Sequence, residues 1–210
     1  TGSAPVSHVP SSISELVSVT VDDAAQVATH TLNIQQLAKA HQVRSDNFTS
    51  KTTALTTLGV TAGTFTVGGE SITVDADDTL IDLRGKINAT DAGVTATIVS
   101  ANATTHYLVL TATDTGTANE IVFGANETTA NNIGLTTGIL GAVKNPLQAA
   151  QDAVFTVDGV TGITRSSNDV DDVVEGLTIS LLKAEVDTDI TLNIEPDLVN
   201  IKTAVTSFVT

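Results

Sequence analysis

The 210-residue sequence has no cysteine and no tryptophan. Without thiols, disulfides, thiolate catalysis and cysteine-ligated zinc are excluded together. Secreted proteins often carry disulfides, so their absence leans towards a cytosolic or a bacterial surface protein. Aromatic residues are scarce, with one Tyr and five Phe. A core must therefore be built from Val, Ile, Leu and Ala, with Thr on half-buried faces. That mix favours pleated surfaces over helices and small, thin domains, because large aromatic side chains normally anchor a thick core. Basic residues are also few: nine Lys and Arg stand against 24 Asp and Glu, for a net charge of −15. Nucleic acid is not an expected partner, since binding it needs clustered cations. An anionic membrane surface would repel the chain for the same reason. No apolar run approaches the roughly 18 residues of a membrane-spanning helix.

What is present is enough for a core: hydrophobic residues make up 41% of the chain, and the length suits one or two domains. Thr1-Gly2-Ser3 contains neither a Met start nor a signal peptide and reads as the remnant of a cut from a longer chain. Val17, Val19 and Val21 alternate with polar residues, as do Ala28, His30, Leu32 and Ile34, and Asp22-Asp23 between them reads as a turn. The expectation is an antiparallel pair with one wet face. Thr64 to Val67, Gly68-Gly69 and Ser71 to Val74 form a strand, turn, strand pattern. Thr79-Leu80-Ile81-Asp82 then has the form of a capping box opening a helix. Leu80, Leu83 and Ile87 recur on one face of that helix. Val94–Ser100 and His106–Thr113 read as two further strands. Asn119–Thr137 reads as one strand, Ile121–Phe123, followed by irregular chain. Asn145-Pro146 predicts a short helix start.

An internal echo follows. Phe155-Thr156-Val157-Asp158-Gly159 resembles Phe65-Thr66-Val67-Gly68-Gly69, and Ile163-Thr164 answers Ile72-Thr73. The echo predicts a second capped helix from Asn168, with Val170, Val173, Val174 and Leu177 apolar and Gly176 ending it. Two β-β-α units imply two related domains. Leu177–Leu182 and Ile190–Ile194 read as the last strands. Beyond Pro196, Leu198, Ile201, Val205 and Phe208 fall on one helical face, the expected beginning of a longer helix whose partner lies in absent flanks.

Residues that could carry chemistry have structural explanations. His8, His30, His41 and His106 are scattered without the clustering that zinc needs. The Asp75–Asp78 cluster and the group Asp169, Asp171 and Asp172 lack the Gly and Glu positions of a calcium loop; charge complementing a helix N-terminus is the expected account. Gly59–Gly69 lacks the Lys-Ser/Thr ending of a phosphate loop, and no Gly-x-Ser-x-Gly elbow occurs. Sequons at Asn47, Asn88, Asn102 and Asn126 carry little weight if the source is bacterial. No catalytic, cofactor-binding or metal-binding residue is assigned, and the chain is not expected to be an enzyme.

The string Ala150-Gln151-Asp152-Ala153-Val154-Phe155-Thr156-Val157-Asp158-Gly159 continues through Ile163–Val170 to Gly176–Ala184. In that order it resembles the flagellar filament cap protein family, the type 2 hook-associated proteins. Leu32–Ala40, with Gln36-Leu37-Ala38-Lys39-Ala40 as its centre and Phe48-Thr49-Ser50 beyond, is a second match. Gly63–Asn88, ending at Ile87-Asn88, is similar to the flagellin hook "IN" motif, which flagellins and hook-filament junction proteins share. The resemblance implies an α+β, predominantly antiparallel fold. It also implies a discontinuous middle domain over 1–56 and 141–197, an outer domain inserted at 57–140, and the start of a helical stalk at 198–210. The implied protein is a homo-oligomeric structural subunit at the extracellular filament tip, exported by the flagellar apparatus, which helps flagellin fold and polymerise. Its partners would be copies of itself and flagellin, with host mucin added by an adhesive role, and it would use no cofactor. The alternatives are a flagellin or junction-protein domain, which the 150–184 string disfavours, and a strand-rich adhesin, against which the lack of aromatic sugar-stacking residues counts.

Overall fold

The computed structural model describes residues 5–8, 14–125, 127–138 and 141–196. The chain divides into two compact units, Thr1–Ala38 with Asp152–Thr210, and Lys39–Gln151. Strands dominate both, they pair antiparallel, and the helices are short, so the fold is α+β. The first unit opens with β1 (Pro5–His8), β2 (Val17–Val21) and β3 (Ala28–Gln36). The second holds β4 (Ala40–Arg44), β5 (Gly63–Val67), β6 (Glu70–Val74), α1 (Leu80–Asn88), β7 (Val94–Asn102), β8 (Thr105–Thr115), α2 (Thr128–Ile133), β9 (Thr136–Thr137), β10 (Ala142–Val143) and β11 (Pro146–Gln148). The chain then returns to the first unit with β12 (Ala153–Val157), β13 (Val160–Arg165), β14 (Asp169–Val170), β15 (Leu177–Leu181) and β16 (Asp189–Pro196).

In the discontinuous unit, one sheet has the order β1-β16-β3-β12-β13 and the other β14-β15-β2. Period-2 patterning does the sorting: Leu32 and Ile34 of β3, Phe155 and Val157 of β12, and Ile190 and Leu192 of β16 turn into one buried cluster. Val17 of β2 and Ile179 and Leu181 of β15 join them there. The expected pairing of β2 with β3 does not occur. β2 pairs with β15, and β3 lies between β12 and β16. Alternation specifies which face is buried, and says nothing about which strand lies alongside. Asp158-Gly159 closes the β12–β13 hairpin with φ of +50° and +79°, the backbone of a type I′ turn, for which Asp-Gly is a preferred pair.

The helix expected from Asn168 is absent. Asp169-Val170 is the strand β14, paired with Ser180 and Ile179. The Asn168 side chain does not cap a helix; it accepts the Ala38 N–H at 2.7 Å and donates to the Ala38 carbonyl at 3.0 Å. A helix this short also pays the nucleation cost for few propagating bonds.

In the Lys39–Gln151 unit, a four-stranded sheet of order β11-β4-β8-β7 and the β5–β6 hairpin enclose a core that includes Phe65, Ile72, Leu80, Leu83, Ile87, Leu108, Leu110 and Ile133. The capping box of α1 forms as expected: Thr79 Oγ1 accepts the Asp82 N–H, and Asp82 accepts the Thr79 N–H at 3.0 Å. Gly68 (φ +57°) and Gly69 (φ +87°) make the β5–β6 turn.

Three expectations fail here. Ile121–Phe123 is not a strand and contributes one isolated bridge, Val67 to Phe123. Residues 128–133 are the helix α2, obscured by Thr and Asn, which are weak helix formers; burial of Thr129, Ala130 and Ile133 stabilises it. Asn145-Pro146 starts no helix: Pro146 begins β11, an outer strand of its sheet, where a missing N–H is tolerated. The division also differs from the expected boundaries at 56/57 and 140/141. Residues 39–56 and 141–151 fall in the second unit because β4 pairs with β8, Phe48 with His106, and β11 with β4. The helix expected beyond Pro196 lies outside the described residues.

Candidate functional site

The histidines are engaged separately. His30 Nδ1 donates to Asp158 Oδ2 at 2.7 Å, and the other carboxylate oxygen accepts the Thr31 N–H at 2.8 Å. These two bonds, the histidine's first, hold the Asp158 carboxyl below its ordinary range. His41 is buried, and its Nδ1 accepts the Ile121 N–H at 2.9 Å. His106, also buried, bonds Ser100 Oγ through Nδ1 at 2.8 Å. His8 sits in β1 opposite Asn193. Among the described residues no three His, Asp or Glu side chains converge as metal ligands.

Members of both acidic clusters form local ion pairs; the first cluster directly precedes the N-terminus of α1, and only for the second does the helix-dipole account fail. Lys86 Nζ reaches Asp75 at 2.7 Å and Asp78 at 2.5 Å, and Asp78 also accepts the Asp75 N–H. The bonds to Asp75 and then Asp78 raise the lysine's pKa. Asp172 takes Arg165 Nε through both oxygens, at 2.8 and 3.0 Å, which lowers its carboxyl. No helix stands behind the second cluster. Of the sequon asparagines, Asn88 and Asn102 use their side chains within the fold, and Asn126 lies outside the described residues.

Two segments singled out in the sequence meet in space. Gln36 Nε2 donates to the Asp152 carbonyl at 2.7 Å, and Asn168 clasps the backbone of Ala38. One residue further along each strand, Lys39 and Gln151 exchange both backbone hydrogen bonds, at 2.8 and 3.1 Å. The strings 36–40 and 150–184 thus form one hydrogen-bonded arrangement at the two points where the chain enters and leaves the inserted segment. At the other recognised string, Ile87 is buried, and Asn88 donates to the Ala96 carbonyl at 2.9 Å while accepting its N–H at 2.6 Å. Asn88 therefore bonds β7 as a neighbouring strand would, and joins the end of α1 to the sheet. The Ile-Asn pair is one buried anchor followed by one backbone clasp. The Asn168 clasp had no signal in sequence spacing.

The comparisons bear on these same strings. The model for the C-terminus of flagellar hook-associated protein 2 matches residues 150–210, and that for the flagellin hook IN motif matches 64–114. The lateral flagellar hook-associated protein 2 of Vibrio parahaemolyticus is 31% identical over 181 residues, covering 78% of this chain and 39% of its own length. The chain belongs to the flagellar hook-associated protein 2 family. Among solved structures, the D2-D3 domains of the flagellar cap protein FliD from Escherichia coli superpose with a TM-score of 0.75 at 25% identity, covering 93% of this chain and all of that one. The D2-D3 domains of the Serratia marcescens cap protein give 0.73 at 28% identity, covering 84% and 98%. This family segment thus spans well under half the length of the curated relative, and about the whole of the two-domain cap fragments.

Proposed function

We propose that the chain is the two-domain middle part of a flagellar cap subunit, which stands at the filament tip outside the cell and promotes insertion of exported flagellin. The observation that carries this reading is the 150–184 string: its hairpin, the Asn168 clasp and the strands β14 and β15 all belong to the segment that matches the family. The discontinuous unit corresponds on this reading to the middle domain, and Lys39–Gln151 to the outer domain. Copies of the protein and flagellin are its partners, and it leaves the cell through the flagellar export apparatus. The fold supplies a scaffold of strands and backbone clasps, which suits a mechanical part. Deleting the gene tests the reading. Hooks should remain while unpolymerised flagellin accumulates in the medium; full-length filaments in the mutant would sink it.

A further inference from the structure

Phe48 and His106 exchange both backbone hydrogen bonds, at 2.8 and 2.9 Å, and two loops approach that point. One is the segment Thr49–Thr52, which follows Phe48 directly. The other is the β7–β8 connection, tightened by Asn102 Oδ1, which accepts the Thr104 N–H at 2.9 Å. The two loops line a cleft of about 360 Å³, a size within the range of small-molecule sites. His106, 5% exposed, also lines it. Its Nδ1 bonds Ser100 Oγ at 2.8 Å, whereas Nε2 has no partner among the described residues and is not sealed from solvent. Ser50 Oγ accepts the Thr52 and Thr53 N–H groups at 3.2 and 3.1 Å and the Thr53 hydroxyl at 2.8 Å. Those bonds hold the loop and leave the Ser50 hydroxyl hydrogen to be donated elsewhere. Lys51, next in the loop, has no ion-pair partner among the described residues.

Charge decides what such a cleft takes. The chain carries 24 acidic residues, and two other clefts of the same unit are lined by Asp114 and Glu120 and by Asp75. No carboxylate lines this one. Its polar groups are an ammonium, an imidazole nitrogen, an amide and several hydroxyls, a set dominated by donors. We propose that the cleft binds a tetrahedral oxyanion, a phosphate or sulfate group, either free or carried as the ester of a small polar molecule. Lys51 supplies the positive charge, and a charge-assisted bond of this kind is about twice as strong as a neutral one. The Ser50 hydroxyl donates from the loop, and His106 Nε2 donates from β8. For that the imidazole carries its proton on Nε2, and Nδ1 then accepts the Ser100 hydroxyl, so one existing bond sets the tautomer the ligand needs. A tetrahedral anion offers oxygens in several directions to donors that come from a loop and a strand, whereas a planar carboxylate offers two in one plane. Asn102 and Ala103, both exposed at the rim, leave room for a small body attached to the anion. With a single cation and an acidic molecule around it, binding is weak and depends on this local geometry.

The test titrates the full-length protein with inorganic phosphate, sulfate, glycerol phosphate and acetate at constant ionic strength, with chloride as the balancing ion. Calorimetry reads the affinity, and NMR of nitrogen-labelled histidine rings reads the site. Phosphate and sulfate should bind, acetate should bind about tenfold more weakly, and phosphate should shift the ring signals of His106. Lys51→Met should weaken phosphate binding by about tenfold, and Lys51→Arg should retain it. The melting temperature without phosphate should not change in Lys51→Met, because within the fold only the Lys51 backbone carbonyl is used, by the Ile81 N–H. Lys39→Met removes the same charge at an exposed position outside the cleft and should leave binding unchanged. Equal affinity for inorganic and glycerol phosphate identifies the free ion as the ligand; tighter glycerol phosphate identifies the ester. No phosphate binding, acetate binding as tight as phosphate, or equal weakening in Lys51→Met and Lys39→Met, which means an adventitious ion only, overturns the proposal. None of these outcomes touches the cap reading, which stands on the family strings.

Discussion

Replacing Asn88 by Ala removes two hydrogen bonds to the backbone of Ala96, a residue that is 1% exposed. Each bond contributes about 1 kcal/mol net, and a buried backbone group left without a partner costs about 1–3 kcal/mol. The two terms describe the same event, so they are not summed; a loss of about 2–4 kcal/mol is expected. For a unit of this size that corresponds to a fall in Tm of roughly 10–20 °C. Asn88→Asp keeps an acceptor for the Ala96 N–H but sets a carboxylate oxygen against its carbonyl, so it should fall between wild type and Ala only if the N–H bond dominates. Asn168→Ala makes the same cut at Ala38 in the other unit. Hydrogen exchange read by mass spectrometry assigns each loss to its peptides. Asn88→Ala should speed exchange within 63–112, and Asn168→Ala within 28–38 and 153–181. If Asn88→Ala shifts Tm by less than about 3 °C, well below the 1 kcal/mol expected of a single bond, or if both variants accelerate the same peptides equally, the clasp reasoning is wrong.

Three further outcomes follow from the geometry. A Cβ on Gly68 would sit 2.0 Å from the Ala92 carbonyl oxygen, whereas one on Gly69 meets nothing within 4 Å; in urea melts Gly68→Ala should therefore be far more destabilising than Gly69→Ala, which carries only the left-handed strain of about 1–2 kcal/mol. Asp158 has a depressed carboxyl pKa in the folded chain, so its contribution is present above the ordinary carboxylate range and is lost as pH falls through the folded value. Accordingly, His30→Ala should be less stable than wild type near neutral pH, and the two should converge at strongly acid pH. Lys86→Met leaves the nearly buried Asp78 carboxylate without its cation. A loss of about 1 kcal/mol is expected, reduced because the lysine is partly exposed and screened. High salt should shrink the difference between variant and wild type in thermal melts.

Much of the fold was legible because period-2 alternation and turn chemistry agree. The β5–β6 and β12–β13 hairpins, the α1 capping box and the β7–β8 pair were all marked by Gly-Gly, Asp-Gly, Thr-x-x-Asp and alternating Val, Ile and Leu. Partner choice was not legible, since nothing in Val17–Val21 names β15 across more than 150 residues as its neighbour. Nor was the fate of Asn168, whose amide bonds the backbone of Ala38, 130 positions away. The echo between the two halves misled at that point: similar hairpins are followed by a helix in one unit and by β14 in the other. The family was readable from short strings, and in this chain those strings also hold the clasps.

The bonds between Lys39 and Gln151 bear on how such chains diversify. Two residues that exchange both backbone hydrogen bonds in an antiparallel pair have Cα atoms about 5.5 Å apart. The 113 residues from Lys39 to Gln151 thus begin and end at one point. Any module whose own ends lie a single strand spacing apart fits the same opening, whatever its fold or size. Lineages can exchange what is inserted at this position, and a protein engineer can splice a foreign domain there, while β3 and β12 keep their pairing and register.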